Sequence, residues 1–333
     1  MKVLVVGLGS IGRRHVRNIK AACEDCVIAV LRQHSKDRNL GDIAGMVSDV
    51  FFSEKDAVCW GPDAVVISNP APFHISTADV FARHNCHLFI EKPLSVSLKG
   101  VDELLCECNS RRLIVMVGYV LRFLSPLQLV KDVLDKGKIG RPLSIYVSVG
   151  RFLPEWRPGT DYRKNVSARR DLGGGPVFEL SHEIDYARWL IDEVISVSAI
   201  IDKVSKLEID VEDIAEITLR FSNNAIGHVH MDMLDRAGNR GCRIVGEEAT
   251  LIWNWQNGRH SLQLFSSKSD DWEQLWTPDS IDYNAMFIEQ FRHFFNCINT
   301  HTEPIVSGNE ARRVLEIILA AKRSAEEGRI VSL

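Results

Sequence analysis

An α/β chain of two units is what this sequence predicts. A parallel sheet wound by helices on both faces comes first, then an α/β unit with a large open, predominantly antiparallel sheet. Three observations predict it. The apolar run Val3–Val6 ends in Gly7-Leu8-Gly9-Ser10-Ile11-Gly12 and passes straight into a helical pattern of Ile11, His15 and Ile19. Short apolar runs recur at Val27–Leu31, Ala64–Ser68, His87–Ile90 and Leu113–Val117, each reading as a strand. After Gly118 the pattern shifts to alternating strands, with hairpin signals at Ser222–Asn224 and Asn257–Gly258.

The glycine stretch carries the first chemistry. Gly7 permits a tight turn, Gly9 lets a pyrophosphate approach the backbone, and Gly12 lets the helix pack closely on the strand. Helix N–H groups at Ser10, Ile11 and Gly12 would face the phosphates. Directly after a strand and opening a helix, the motif points to a Rossmann-type dinucleotide-binding domain. The second strand runs into Arg32-Gln33-His34-Ser35-Lys36, with no acid until Asp37. A cationic, hydroxyl-bearing turn suits a ribose 2′-phosphate, so Arg32 and Ser35 favour NADP over NAD. The next strand delivers Asn69-Pro70 and then His74, which is open between touching a ligand and capping a helix.

Glu91-Lys92-Pro93 follows the next strand. A lysine there sends a cation towards the cofactor crevice, and Pro93 biases Lys92 to extended geometry. Arg122 stands where the units meet in sequence, fit to clamp cofactor or substrate or to lock an interface. The turn-rich stretch from Phe152 to Lys164 has no core periodicity, and its Arg157 and Tyr162 suit a polyol or phosphorylated ligand. Gly173-Gly174-Gly175 then opens a segment, Val177–Leu190, that reads as one helix. On it Glu179, His182, Asp185 and Trp189 share a face, so His182 is flanked by two acids that favour proton acceptance.

Composition sets bounds. The chain has 333 residues, 45% hydrophobic and 25% charged, room for two domains with soluble-globular composition. The expected boundaries are 1–118 for dinucleotide binding and 119–307 for substrate binding and oligomerisation, with a helix at 308–328 packing back on the first domain. A net charge of −4 argues against nucleic acid as main partner, and no apolar run reaches bilayer length. No signal peptide is expected ahead of the first strand, which makes the cytoplasm the expected location. Cys23-Glu24-Asp25-Cys26 has a suggestive spacing, but no second Cys pair or Cys/His cluster completes it; neither a structural metal nor a redox pair is expected.

The glycine motif, Glu91-Lys92-Pro93, the Gly118–Pro126 segment with Arg122, and the tri-glycine segment with His182 and Asp185 together resemble the Gfo/Idh/MocA family of sugar and cyclitol oxidoreductases. The resemblance spans essentially the whole chain. It implies that Lys92 is the active-site lysine, His182 the catalytic histidine and Asp185 a substrate-binding acid. Glu91 would join Asn69, Pro70 and His74 around the cofactor. Many members place an Asp four residues before the histidine; here that position is Phe178, and Glu179 is the nearest acid. The implied reaction moves a hydride between nicotinamide and a secondary alcohol or ketone of a sugar, sugar nucleotide or cyclitol, in a setting such as surface-sugar biosynthesis. His182 would take the hydroxyl proton while Lys92 stabilises the oxygen. A homodimer or homotetramer through the open sheet is expected. Two rival readings are a dinucleotide-binding regulator without turnover, and an enzyme using bound NAD transiently for glycoside cleavage or epimerisation.

Overall fold

Branched apolar runs become buried strands because their side chains lose least where both sheet faces are covered. The computed structural model describes residues 1–32, 38–256, 258–266, 268, 270–276 and 282–333. In chain order the elements are β1 (Lys2–Val6), α1 (Ser10–Ala22), β2 (Val27–Leu31), β3 (Asp49–Phe51), α2 (Glu54–Cys59), β4 (Ala64–Ile67), α3 (His74–Ala82), β5 (His87–Ile90), α4 (Val101–Ser110) and β6 (Val115–Val117). There follow α5 (Ser125–Asp135), β7 (Pro142–Gly150), α6 (Pro176–Glu179), α7 (His182–Ile191), β8 (Val194–Asp202), β9 (Ile214–Phe221) and β10 (Ile226–Asp232). The last are β11 (Asn239–Gly246), β12 (Ala249–Gln256), β13 (Arg259–Ser266), β14 (Asp271–Trp276), α8 (Ala285–Thr300), α9 (Gly308–Glu327) and β15 (Val331–Ser332).

The chain divides into Met1–Val120 with Tyr283–Leu315, and Leu121–Asp282 with Glu316–Leu333. The first unit holds a six-stranded sheet ordered β3-β2-β1-β4-β5-β6, with every pairing parallel. The order reverses between β1 and β4, which opens a crevice at the carboxyl ends of those strands. Residues 283–307, expected in the second domain, belong to this first unit. The reason is aromatic: Phe291 and Phe294 of α8 pack on Phe89 of β5, at centroid distances of 4.9 and 5.7 Å. The α9 helix is shared, its residues up to Leu315 falling in the first unit and those from Glu316 in the second.

The second unit holds a nine-stranded sheet ordered β14-β13-β12-β11-β7-β10-β9-β8-β15. Its pairs are antiparallel except β10 with β7, as a mostly antiparallel open sheet requires. The hairpin at Ser222–Asn224 joins β9 to β10, with Asn224 in the left-handed region at φ 68°. The β12–β13 hairpin also forms, although Asn257 lies outside the described residues. Three strands, β3, β14 and β15, are additional to those read from the sequence. They are short, edge-like or polar, and carry little apolar alternation.

One expectation is corrected at Cys23 and Cys26. They lie 5.5 Å apart between Cα atoms and form a disulfide at the end of α1. The helix ends at Ala22, and the turn after it brings the two thiols together. Among the described residues no cluster of three His, Cys, Asp or Glu side chains is arranged to hold a metal, and no helix is long and apolar enough to cross a membrane.

Candidate active site

In the first unit, β1 is buried from Val3 to Val6 and ends at Gly7, whose φ is +87°. A side chain at Gly7 would meet the Asn69 backbone nitrogen at 2.8 Å, so this approach of the turns after β1 and β4 tolerates only hydrogen. Gly12 packs against the Gly7 carbonyl and the Ser68 hydroxyl. Gly9 is the N-cap of α1; it supplies no side-chain cap, no acid stands in the first turn, and the space above Gly9 is open. Helix N–H groups left in this way, at the carboxyl end of a parallel sheet, fit a pyrophosphate. The residues present therefore fit a dinucleotide.

Arg32 ends β2 half-buried, its backbone N–H donating to Phe51 O at 2.9 Å and its guanidinium 3.4 Å from Asn39 O. Ser35 lies outside the described residues. Asn69 donates from Nδ2 to Thr77 Oγ1 at 3.0 Å, and its Oδ1 is buried with no hydrogen-bond partner among the described residues. Pro70 follows it in extended geometry. His74 is 1% exposed, and α3 has no side-chain cap at its start. Its Nδ1 lies 2.9 Å from Pro93 O and its Nε2 2.8 Å from Asn69 O. Burial pushes its pKa down, against the pull of the two carbonyls. The ring lies between two backbone carbonyls, and its N–H donates to one of them.

Glu91 and Lys92 follow β5, with a cis peptide between Lys92 and Pro93. Glu91 Oε1 accepts from His15 Nε2 at 2.6 Å, and Oε2 accepts the Lys92 backbone N–H at 3.1 Å. Burial raises the pKa of Glu91, but the His15 bond and the His15 and Lys92 charges outweigh it, and the net is a lowered value. Gly118 lies directly against this carboxylate, where a side chain would come within 3.2 Å. Glu91, expected at the cofactor, is thus occupied from several sides. His15 is a residue that the motif reading passed over. Its signal was present, a histidine in the apolar i, i+4 stripe of α1.

In the second unit the single expected helix is two. α6 ends at Glu179, a turn through Leu180 and Ser181 intervenes, and α7 opens at His182. The break removes the continuous face on which Glu179 and His182 were expected to stand. Glu179 instead accepts from Ser167 Oγ at 2.7 Å. The tri-glycine run admits that same turn of chain: Gly175 N donates to Ser167 O at 3.0 Å, and a side chain at Gly174 would meet Ser167 O at 2.7 Å.

His182 is 9% exposed at the first position of α7, and Asp185 is 0% exposed one turn on. Asp185 receives a two-pronged ion pair from Arg122, with Nη2 to Oδ1 at 2.7 Å and Nε to Oδ2 at 3.0 Å. The Arg122 guanidinium also lies 5.6 Å from the Trp189 ring. Asp185 was expected to hold substrate; the structure aims its carboxylate at Arg122. The neighbouring Glu183, also 0% exposed, pairs with Arg240 Nε at 2.8 Å, a contact with no motif to announce it. Arg188 pairs with Glu193. Three ion pairs therefore pin the helix that begins with His182.

Arg157 is exposed, and its carbonyl accepts from Thr160. Tyr162 is half-buried: its hydroxyl accepts from Glu208 N at 3.2 Å and its ring packs on Leu153, Ala168, Leu207, Ile209, Val211 and Met233. The loop thus has its own small core.

A doubly wound sheet with an uncapped glycine-loop helix, followed by an open-sheet unit carrying a braced histidine, defines a dinucleotide-dependent oxidoreductase. Comparison with known proteins bears this out. Residues 1–119 match the oxidoreductase family with an NAD-binding Rossmann fold, and residues 127–252 match the GFO/IDH/MocA C-terminal domain. Myo-inositol 2-dehydrogenase of Thermotoga maritima is 24% identical, over 100% of this chain and 98% of its own. A levoglucosan dehydrogenase solved with NADH superposes with a TM-score of 0.88 at 20% identity, covering 100% of this chain and 98% of its own. The WlbA dehydrogenase from Bordetella pertussis, solved with NADH and UDP-GlcNAcA, gives 0.84 at 23% identity, covering 100% and 98%. This chain belongs to the Gfo/Idh/MocA family, and is an enzyme that works with a nicotinamide dinucleotide.

Proposed function

We propose that this enzyme transfers a hydride between its dinucleotide and a secondary alcohol or ketone of a sugar, sugar nucleotide or cyclitol. The observation that carries the reading is the held turn Glu91-Lys92-Pro93, which fixes a lysine directly after β5, the strand next to β4 in the dinucleotide-binding sheet. Similarity to the inositol, levoglucosan and UDP-sugar dehydrogenases supports the substrate class. Gly7, Gly9, Ser10, Ile11 and Gly12 would hold the pyrophosphate, with Asn69 and Pro70 beside it. When bound, the dinucleotide supplies the hydride acceptor or donor.

In oxidation, His182 takes the hydroxyl proton as the C–H bond breaks, and Lys92 stabilises negative charge on that oxygen. In reduction the same groups return the proton. Asp185 and Arg122 hold α7 in place; Arg157 and Glu179 are the candidates for other substrate hydroxyls, with Tyr162 shaping their loop. Arg32 at the end of β2, where an acid would grip a ribose diol, supports NADP over NAD. We further propose a cytoplasmic homodimer or homotetramer, supported by Tyr146, Ile200 and Ile226, which are 48%, 72% and 43% exposed on the open sheet.

The test is a screen of sugars, cyclitols and UDP-sugars for nicotinamide reduction, run with Lys92→Met and His182→Asn. Each variant is expected to lose about 10²- to 10⁴-fold in kcat while still quenching with NADH or NADPH. Full turnover by either variant removes that residue from the mechanism.

A further inference from the structure

We infer that His15 and His74 are positioning residues for Lys92, each holding one side of the backbone that carries it. The inference rests on Lys92 acting on the substrate oxygen. On the amino side, His15 donates to Glu91 at 2.6 Å, and Glu91 accepts the Lys92 N–H at 3.1 Å. On the carboxyl side, His74 sits 2.9 Å from the carbonyl of Pro93. Both imidazoles are interior, 0% and 1% exposed, and neither reaches a surface where it would contact substrate itself.

Each ring comes from a helix that starts at a different cofactor loop. His15 is on α1, which leaves the glycine turn, and its ring is wedged edge-on against Phe89 and Phe291 at 5.6 and 5.1 Å. His74 opens α3, just after Asn69-Pro70, and its second nitrogen lies 2.8 Å from Asn69 O. The Lys92 side chain is rooted in this backbone, so a shift of the backbone carries the ammonium with it. The two histidines hold that backbone to both loops on which the dinucleotide would rest. Mounting the amine and the cofactor loops on one buried frame keeps their spacing constant during turnover.

The roles are different in kind. His15 acts through a carboxylate, and its loss frees Glu91 to turn towards the nearby cation. His74 acts on backbone alone, and being held neutral by burial it donates to one carbonyl at a time. Glutamine can replace the single donor in each case, whereas Phe or Leu fills the space without a hydrogen bond.

The experiment compares His15→Phe, His15→Gln, His74→Leu and His74→Gln with wild type, using a sugar that turns over in the screen above. Competitive labelling of lysine amines by acetic anhydride, resolved by mass spectrometry, reads Lys92 directly, with Lys322 as internal control. The apolar variants are expected to lose about tenfold to a hundredfold in kcat, with KM and NADH affinity changed less than about threefold. Lys92 labelling should change while Lys322 labelling does not, and the Gln variants should recover much of both. Should an apolar variant fail to fold, His15→Asn and His74→Asn, whose shorter amides fall short of the same acceptors, carry the same comparison. Folded Phe or Leu variants with wild-type kcat and wild-type Lys92 labelling overturn the inference, and so does an equal loss of NADH affinity. If Lys92→Met still turns over, it is the role of Lys92 that falls instead.

Discussion

Arg122 and Asp185, 63 residues apart in sequence, close on each other in the interior of the second unit with side chains 2% and 1% exposed. Breaking a buried pair leaves one charge uncompensated, which costs far more than a surface pair. Asp185→Asn is expected to destabilise the protein by about 3–5 kcal/mol in urea unfolding. Pairing Arg122→Met with Asp185→Leu should recover most of that loss. Reduced turnover with an unchanged unfolding midpoint would instead make Asp185 a direct substrate contact.

The Arg32 prediction concerns cofactor choice. Matched fluorescence titrations should show tighter binding of NADPH than NADH, and Arg32→Ala should remove the difference. One charge-assisted contact to a phosphate corresponds to about 1.5–3 kcal/mol, or about tenfold to a hundredfold in Kd. Equal or tighter NADH binding by wild type would end the NADP preference and leave the oxidoreductase assignment untouched.

Gly7→Ala tests the close approach of the turns after β1 and β4. Its positive φ and the 2.8 Å approach to Asn69 N leave no room for a methyl group. Thermal unfolding should register a loss of about 1–3 kcal/mol from backbone strain, together with loss of dinucleotide binding. Gly9→Ala, where nothing lies within 4 Å, should fold like wild type.

Stability should fall away on both sides of neutrality, for opposite reasons. His230, bonded to Asp232 and to Glu216 against some cost of burial, has its pKa raised to about 9 from 6.5. The folded state therefore binds the proton more tightly, and this stabilisation is complete below pH 6.5 and gone once pH passes about 9. His260, buried between Trp253 and Trp255 and near Arg240, is lowered to about 4. Its folded state resists protonation, so stability drops as pH falls from 6.5 towards 4. Unfolding midpoints should lose their alkaline slope in His230→Gln and part of their acid slope in His260→Phe; unchanged slopes would remove these groups from the pH response.

What the sequence revealed follows from the range of the interactions involved. The glycine turn and the Val, Ile and Leu strands of the first unit are local signals, and they fold as read. The segment after the tri-glycine run has helical spacing throughout, but the break at Leu180-Ser181 directly follows Glu179, whose contact with Ser167 helical spacing does not encode. Asp185 meeting Arg122, Glu183 meeting Arg240 and His15 meeting Glu91 are long-range pairings between charged or polar side chains. Spacing along one helix predicts none of them, since the partner arrives from another element.

The two margins of the nine-stranded sheet differ, and the difference governs how the protein meets other chains. Any strand margin offers unpaired N–H and C=O groups on which a stray segment can add itself. At one margin β15 pairs with β8 through only Val331 and Ser332, with Leu333 N donating to Ile195 O. The other margin, β14, reads Asp271-Trp272-Glu273-Gln274 and is exposed along that length, so any segment adding there must lie beside two carboxylates. Removing residues 329–333 would therefore uncover the β8 margin, next to exposed Ile195 and Ile200, and should make the protein precipitate on warming at a lower temperature than the full chain.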